Sequence, residues 1–419
     1  MDSPHSAPSG DAPVTPGSAP DGTDAGAGSG TDSIDHLEPV SETAFEPGAH
    51  VVDGRLRFRL EDPDRALGSV HLWNELDLPD TAFTRLDDGS AWELELPRPP
   101  VDRLEYMYAA RESADDEHAT LLLDPANPLR VGGAFGDHSW LPLPGYEEPR
   151  WLAIEPVPGT IRHESIADTP VGTIDVEIWE PESLTGAADE GSGEGSGAHE
   201  RPDAPLLLTH DGPEMATLAG LTHYIGALIA TGELPPMRVA LLVPGARDER
   251  YAANDDYADA LALHVVPHLR ETAPTSGPLA LMGASLGGLS ALHAHWRHPG
   301  VFAGLHLASG SFFTPSLDPQ ESGYSRWSEV TGFVAQVGAD GPPARKGAAT
   351  PAISMVCGTA EENLANNLHM RDVLRGQGFA VSWGTVADTH CYTCWRDLFD
   401  PHLTQLLTGL WGEPGSEGR

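Results

Sequence analysis

Two hydrophobic periods divide this chain. From about residue 36 to 125, apolar and polar positions alternate in short runs. Arg55-Leu56-Arg57-Phe58-Arg59-Leu60, Ser69-Val70-His71-Leu72-Trp73, Ala91-Trp92-Glu93-Leu94-Glu95-Leu96 and Leu104-Glu105-Tyr106-Met107-Tyr108 all follow it. A period of two is that of a strand with one buried face, and Asp-Pro-Asp, Asp-Asp-Gly and Pro-Arg-Pro-Pro punctuate the runs as turns. The pattern predicts an N-terminal antiparallel β-sandwich of Ig-like type, with nothing catalytic in its sequence. Residues 126–150, rich in proline and glycine, read as an interdomain linker. From 151 to 412 the pattern changes. Two antiparallel strands over 161–166 and 171–179 are followed by continuous apolar runs, most with a helical stretch behind them. The runs are 205–209, 239–243, 279–282, 302–309, 353–357 and 380–386, and the helices include 254–271, 361–376 and 395–409. Residues 313–348 read as a stretch of low order. Strands without alternation are buried on both faces, so this half is a mostly parallel sheet covered by helices.

One stretch gives that sheet a chemistry. Leu279-Ala280-Leu281-Met282-Gly283-Ala284-Ser285-Leu286-Gly287-Gly288 is a strand, a glycine-flanked serine and the start of a helix. This is the form of a nucleophile elbow, in which the serine sits in a strained turn and the positions two either side must lack side chains. In a chain with 46 glycines a Gly-x-Ser-x-Gly arises easily by chance, so the flanking strand and helix carry the assignment. With them the fold is an α/β-hydrolase.

A serine hydroxyl needs a base with a pKa near 7, and in this fold the chain order is serine, acid, histidine. Of the histidines beyond Ser285, His293, His295 and His298 lie on the elbow helix, His306 lies in the next strand, and His369 and His402 lie within helices. His390 falls in the loop between the last strand and the last helix, where a general base belongs. The acid is expected one loop earlier, in Cys357-Gly358-Thr359-Ala360-Glu361-Glu362-Asn363. Glu361 is the better candidate, but either glutamate also suits a helix N-terminus and chemistry alone does not separate them. For the oxyanion, the Leu286 N–H supplies one donor. The loop His210-Asp211-Gly212-Pro213-Glu214 should supply the other. Pro213 has no N–H, which leaves Gly212 or a side chain such as an arginine.

Composition narrows the partners. A formal charge of −39 excludes nucleic acid and anionic membranes, which need basic surfaces. No apolar run approaches the length of a membrane span, and the N-terminus has neither basic start nor apolar core, so a cytoplasmic enzyme is expected. Residues 1–35 are expected to be a disordered tail and 183–204, a Gly/Ser/Glu insertion, a flexible surface loop. Three cysteines, two of them in Cys391-Tyr-Thr-Cys394, make neither a disulfide framework nor a metal site. Neither cofactor nor metal is called for.

These residues together resemble the enterochelin esterase family, cytoplasmic ferric-siderophore hydrolases among the esterase-D-like α/β-hydrolases. Gly283 to Leu292 with Ser309-Gly310-Ser311-Phe312 is similar to the family's nucleophile block, and Arg247 to Asn254 to its Arg–Tyr–Asn helix entrance. His390 with Cys394-Trp395-Arg396 resembles its histidine block, and Asp124-Pro125-Ala126-Asn127-Pro128 its junction between sandwich and hydrolase. Thr389 stands where a glycine is usual and Cys391 where an aspartate often follows. The resemblance implies hydrolysis of the esters of a catecholate trilactone siderophore. A ferric tris-catecholate is a polyanion, so arginines would have to reverse the local field, with Arg247 and Arg130 as candidates; for Arg250 and Arg396 a structural ion pair is the better reading. The rivals are a general, carbohydrate or feruloyl carboxylesterase, and a non-catalytic binding protein of the same fold.

Overall fold

The computed structural model describes residues 45–76, 78–134, 136–185, 201–341 and 350–412. The expected tail at 1–35 and most of the expected loop at 183–204 lie outside the described residues.

The alternating runs become two antiparallel sheets. One has β1 (Gly48–Val52), β2 (Arg55–Glu61), β5 (Ala91–Pro97) and β4 (Thr84–Arg85), in the order β1-β2-β5-β4. The other has β3 (Ser69–Trp73), β6 (Arg103–Arg111), β9 (Gly136–Pro142) and β8 (Arg130–Gly133), with β7 (Thr120–Leu122) also paired to β6. Leu56, Phe58 and Leu60 of β2 and Leu104, Tyr106 and Tyr108 of β6 point into one shared apolar cluster. Their neighbours Arg57, Arg59, Glu93 and Glu95 pair across the outer face instead. This is the outcome that period two dictates.

The linker expectation needs correcting within this region. Residues 130–142 are not a connection: β8 and β9 form a hairpin, and β9 pairs with β6 from Arg103 opposite Pro142 to Tyr106 opposite Ser139. Their glycines, which suggested a loop, answer a different demand. A Cβ at Gly132 would lie 2.7 Å from the end of the Leu218 side chain, so the strand packs closely on the second half and a larger residue would have to displace that leucine.

The second half is one eight-stranded sheet in the order β10-β11-β13-β12-β14-β15-β16-β17. Antiparallel β10 (Gly159–Thr169) and β11 (Gly172–Pro181) lead into parallel β13 (Arg238–Leu242), β12 (Leu206–Thr209), β14 (Leu279–Ala284), β15 (Gly304–Ala308), β16 (Ala352–Gly358) and β17 (Val381–Val386). Alternate residues go to two different cores. Leu206, Leu208, Ala240, Leu242, Leu279 and Leu281 face one cluster, while Leu207, Val239, Leu241, Ala280 and Met282 face the other. Both faces are covered, which is why these strands read as unbroken apolar runs; each buried leucine contributes about 2 kcal/mol.

The covering helices are α1 (Gly212–Thr217), α2 (Leu221–Ala230), α3 (Arg247–Tyr251), α4 (Asp255–Ala260), α5 (Val266–Thr272), α6 (Leu286–Arg297), α7 (Trp327–Asp340), α8 (Leu364–Gly376), α9 (Tyr392–Asp397) and α10 (Thr404–Trp411). Helix α7 corrects the low-order expectation. Val330, Phe333, Val334 and Val337 bury one helical stripe, but Gly332 and Gly338 on the other face dilute the signal in sequence. The single helix expected over 395–409 is two, α9 and α10, parted by a π-helical turn that contains Pro401. Proline lacks the N–H that would continue the ladder.

Candidate active site

Three loops at the carboxyl ends of the parallel strands bring the sequence candidates to one edge of the sheet. Ser285 sits between β14 and α6 with φ of 56° and ψ of −126°, a strained backbone for a residue with a Cβ. The surroundings enforce it. A Cβ at Gly283 would fall 2.3 Å from the Gly287 carbonyl oxygen, and one at Gly287 would fall 3.0 Å from His210 Cβ. The turn is also pinned to its neighbour: Ser285 N–H donates to Ala308 O at 2.9 Å, and Ser311 N–H donates to Ser285 O at 3.1 Å. The Ser285 hydroxyl lies 3.3 Å from that of Ser311.

Strand β12 is the other neighbour of β14, so its loop lies against the elbow. Asp211 takes a left-handed conformation with φ of 48°, and Gly212 then opens α1 with Pro213 behind it. Only glycine fits at 212, since a Cβ there would come within 2.3 Å of Leu241 Cα. Gly212 and Leu286 are the first residues of their helices, and among the described residues neither N–H has a protein acceptor. Arginine does not take the donor's place. Arg247 binds both oxygens of Asp211 through Nε at 2.8 Å and Nη2 at 2.9 Å, and so holds the loop instead.

His390 follows β17, and its Nδ1 is hydrogen-bonded to Glu361 Oε2 in the loop after β16. The carboxylate that reaches the ring is therefore Glu361's, while Glu362 is exposed. The other Glu361 oxygen accepts from Ser309 Oγ at 2.6 Å, Gly358 N–H at 2.6 Å and Cys357 Sγ at 3.1 Å. Trp395 donates from Nε1 to Ser309 Oγ at 3.0 Å and stands edge-on to the His390 ring, 5.2 Å between centroids. A chain of donors thus runs from Trp395 through Ser309 to the Glu361 oxygen that His390 does not contact. Burial works against charge on Glu361, whose side chain is 1% exposed, but the bonds from His390, Ser309 and Cys357 outweigh it and hold its carboxyl below the usual range. For His390, burial works against the imidazolium, yet Glu361 beside it, with Glu75 and Glu362 further off, raises its pKa above the ordinary value. With Nδ1–H directed at a carboxylate, Nε2 is left as the basic nitrogen.

Asp388, two residues before His390, is turned away from the ring. It is buried and receives the Arg103 guanidinium; burial pushes its carboxyl up to about 6 in spite of that partner. Cys394 is buried, and burial raises both its thiol and that of Cys391 well above the usual range. Among the described residues no group of His, Cys, Asp and Glu is placed to hold a metal ion.

The N-terminal sheets supply one wall that sequence reasoning missed. Trp73, Asn74, Glu75 and Leu76, at the end of β3, face Glu361, Glu362 and His390 across a cleft of about 640 Å³. No motif marks them; only the close placement of the end of β3 beside the loops of Glu361 and His390 does. Ser309 and Ser311 appeared in the sequence within the block that resembles a known family, but without a role.

Among the described residues, the arginines expected to reverse the charge are engaged by other partners. Arg130 donates to the carbonyls of Asn127, Leu129 and Asp124 and so braces a turn, and Arg247 is neutralised by Asp211. Arg250 binds the carbonyls of Pro244, Val171 and Thr173, and Arg396 pairs with Asp397. Glu75 and Glu362 instead give the cleft an acidic rim. Burial, opposed by His390 and His138, raises the Glu75 carboxyl above its ordinary pKa.

Known proteins share this architecture. Residues 198–400 match the family model described as "Putative esterase". No curated protein matches the chain. Among solved structures, the enterobactin esterase of Shigella flexneri, crystallised in the presence of enterobactin, superposes with a TM-score of 0.67 at 19% identity, over 87% of this chain and 96% of that one. The ferric enterobactin esterase of Salmonella typhimurium gives 0.65 at 20% identity, over 88% and 97%. Such coverage extends beyond the hydrolase half to the N-terminal sheets. Over residues 198–400 the chain is thus similar to the esterase family, and it shares the fold of the enterobactin esterases.

Proposed function

We propose that the protein is a serine carboxylic-ester hydrolase acting on a catecholate siderophore ester of the enterobactin type, in the cytoplasm. His390 Nε2 takes the Ser285 proton as Oγ attacks the ester carbonyl, and the Leu286 and Gly212 N–H groups receive the developing oxyanion. Collapse of the tetrahedral intermediate expels the alcohol, which takes its proton from His390. Water then attacks the acyl-serine, giving up a proton to His390, and the acid leaves as Ser285 regains its hydrogen. Glu361 stays ionised and holds the ring in the Nδ1–H tautomer.

The observation that carries this reading is the His390 to Glu361 contact, one loop apart, on the same sheet edge as a strained Ser285. The siderophore assignment draws on the likeness in fold to the enterobactin esterases, which spans both halves of the chain. We read the two N-terminal sheets as a β-sandwich module that walls the substrate cleft.

The acidic rim refines the substrate. A ferric tris-catecholate brings several negative charges towards Glu75 and Glu362, whereas the iron-free ester does not. The iron-free form is therefore hydrolysed faster at low ionic strength, and added salt narrows the gap. The test follows linear fragments by mass spectrometry after incubation with ferric and iron-free trilactones, for the protein and its Ser285→Ala form. Cleavage of simple aryl esters but of neither trilactone would refute the substrate and leave the mechanism standing. Equal cleavage by the alanine form would refute both.

A further inference from the structure

Strand β6 begins with an arginine that reaches out of the N-terminal sheets into the loop of the candidate base. The Arg103 side chain is 2% exposed, and its Nη2 donates to the Asp388 carboxylate, 285 positions away. Its Nη1 lies 3.8 Å from Glu105 Oε1 and its Nε 3.6 Å from Asp397 Oδ2, so one guanidinium serves three carboxylates. The contacts around it bracket His390. On one side the Asp102 N–H donates to Ala387 O at 2.6 Å. On the other, Thr393 donates to Glu105, whose second oxygen lies 3.1 Å from His138 Nδ1.

Asp388 also fixes the acid. Its carbonyl accepts the Ala360 N–H at 3.0 Å, next to Glu361, and a Cβ at Gly358 would fall 2.4 Å from that same oxygen. The spacing between the Glu361 loop and the His390 loop is thus set at Asp388, and Arg103 holds Asp388. A lysine would keep the charge but lose the planar fork that reaches separate carboxylates.

We propose that Arg103 is a positioning residue for the His390–Glu361 pair, through which the N-terminal sheets complete the active site. This rests on the esterase reading above. Removing the fork lets the two loops shift against each other, and a displacement of about 1 Å in a reacting group lowers turnover by up to about 100-fold.

The test compares Arg103→Lys and the near-isosteric Asp388→Asn with the wild type and with Arg238→Lys. Arg238 forms a second fully buried pair, with Glu180 at 2.8 Å in the hydrolase sheet, and controls for lost stability alone. Readouts are kcat and KM on 4-nitrophenyl butyrate, the acid limb of kcat against pH, and the thermal midpoint. The groups that face His390 and set that limb are Glu361, Glu362 and Glu75. Arg103→Lys should lower kcat about 10- to 100-fold with KM within about twofold, and move the acid limb down by about half a unit. Asp388→Asn should follow it in direction, and carries the test if Arg103→Lys fails to fold. Arg238→Lys should lose thermal stability but keep kcat and the acid limb. If both site variants keep wild-type kcat and acid limb, Arg103 is a fold residue only and the proposal fails. Should the wild type hydrolyse no ester, the esterase reading falls, but the downfield Nδ1 proton resonance of His390 still decides: its loss in Arg103→Lys supports positioning, and its retention overturns it.

Discussion

The carboxyl edge of the parallel sheet and the N-terminal antiparallel sheets serve the same cleft by opposite means. At the parallel edge each proposed catalytic group sits in a loop whose place the topology dictates: Ser285 after β14, Glu361 after β16, His390 after β17. The N-terminal sheets hold none of the proposed catalytic groups. They offer the wall from Trp73 to Leu76 and one buried guanidinium on the His390 loop. The difference teaches where chemistry can be read from local patterns. A strained turn needs glycines within two residues, whereas a brace between distant strands can be any long side chain that fits.

The largest expected effects break the parallel edge. Ser285→Ala should lower kcat by four orders of magnitude or more without changing the thermal midpoint, as read with an aryl ester and by calorimetry. Glu361→Gln should cost about 10³- to 10⁴-fold, because an amide no longer enforces the Nδ1–H tautomer. It should also lower the acid limb. His390 must be neutral to accept a proton, and Glu361 raises its pKa, so wild-type activity should rise with pH through a value above that of ordinary imidazole. Loss of the carboxylate removes that elevation, and the limb falls.

Changes in the N-terminal wall should be smaller and of another kind. Glu75→Gln should leave kcat on a neutral aryl ester within about twofold, while raising the ferric to iron-free rate ratio severalfold at low salt. An unchanged ratio would mean that the acidic rim plays no part in selection. Between these extremes lies Arg247→Met, which strips Asp211 of its bidentate partner beside the oxyanion loop. Leaving a buried carboxylate unpaired should cost about 3 kcal/mol of stability and perturb the Gly212 N–H, with a loss in kcat that exceeds any change in KM.

The legibility of the chain follows the same division. The strand β14, the elbow and the loop of His390 are local patterns and stand where the sequence places them. Glu361 is only the better candidate in sequence because both glutamates suit a helix start, and its contact with His390, backed by donors from Ser309, Gly358 and Cys357, singles it out. Arg247 had the look of a substrate residue because its partner, 36 positions earlier, is a long-range fact. Residues 130–142 looked like a linker because a tight hairpin and close packing on Leu218 favour glycine, the residue that otherwise marks a loop. Arg103 and Asp388 had no signal at all: nothing within either segment reports a partner 285 residues away.

The central claim is that Ser285 forms an acyl-enzyme. It is tested most directly by rapid acid quench of the protein with excess aryl ester, followed by intact mass and peptide mapping. The expected result is one acyl group per chain, on Ser285, formed in a burst and absent from Ser285→Ala. An adduct on any other residue, or steady turnover by the alanine form, would contradict it.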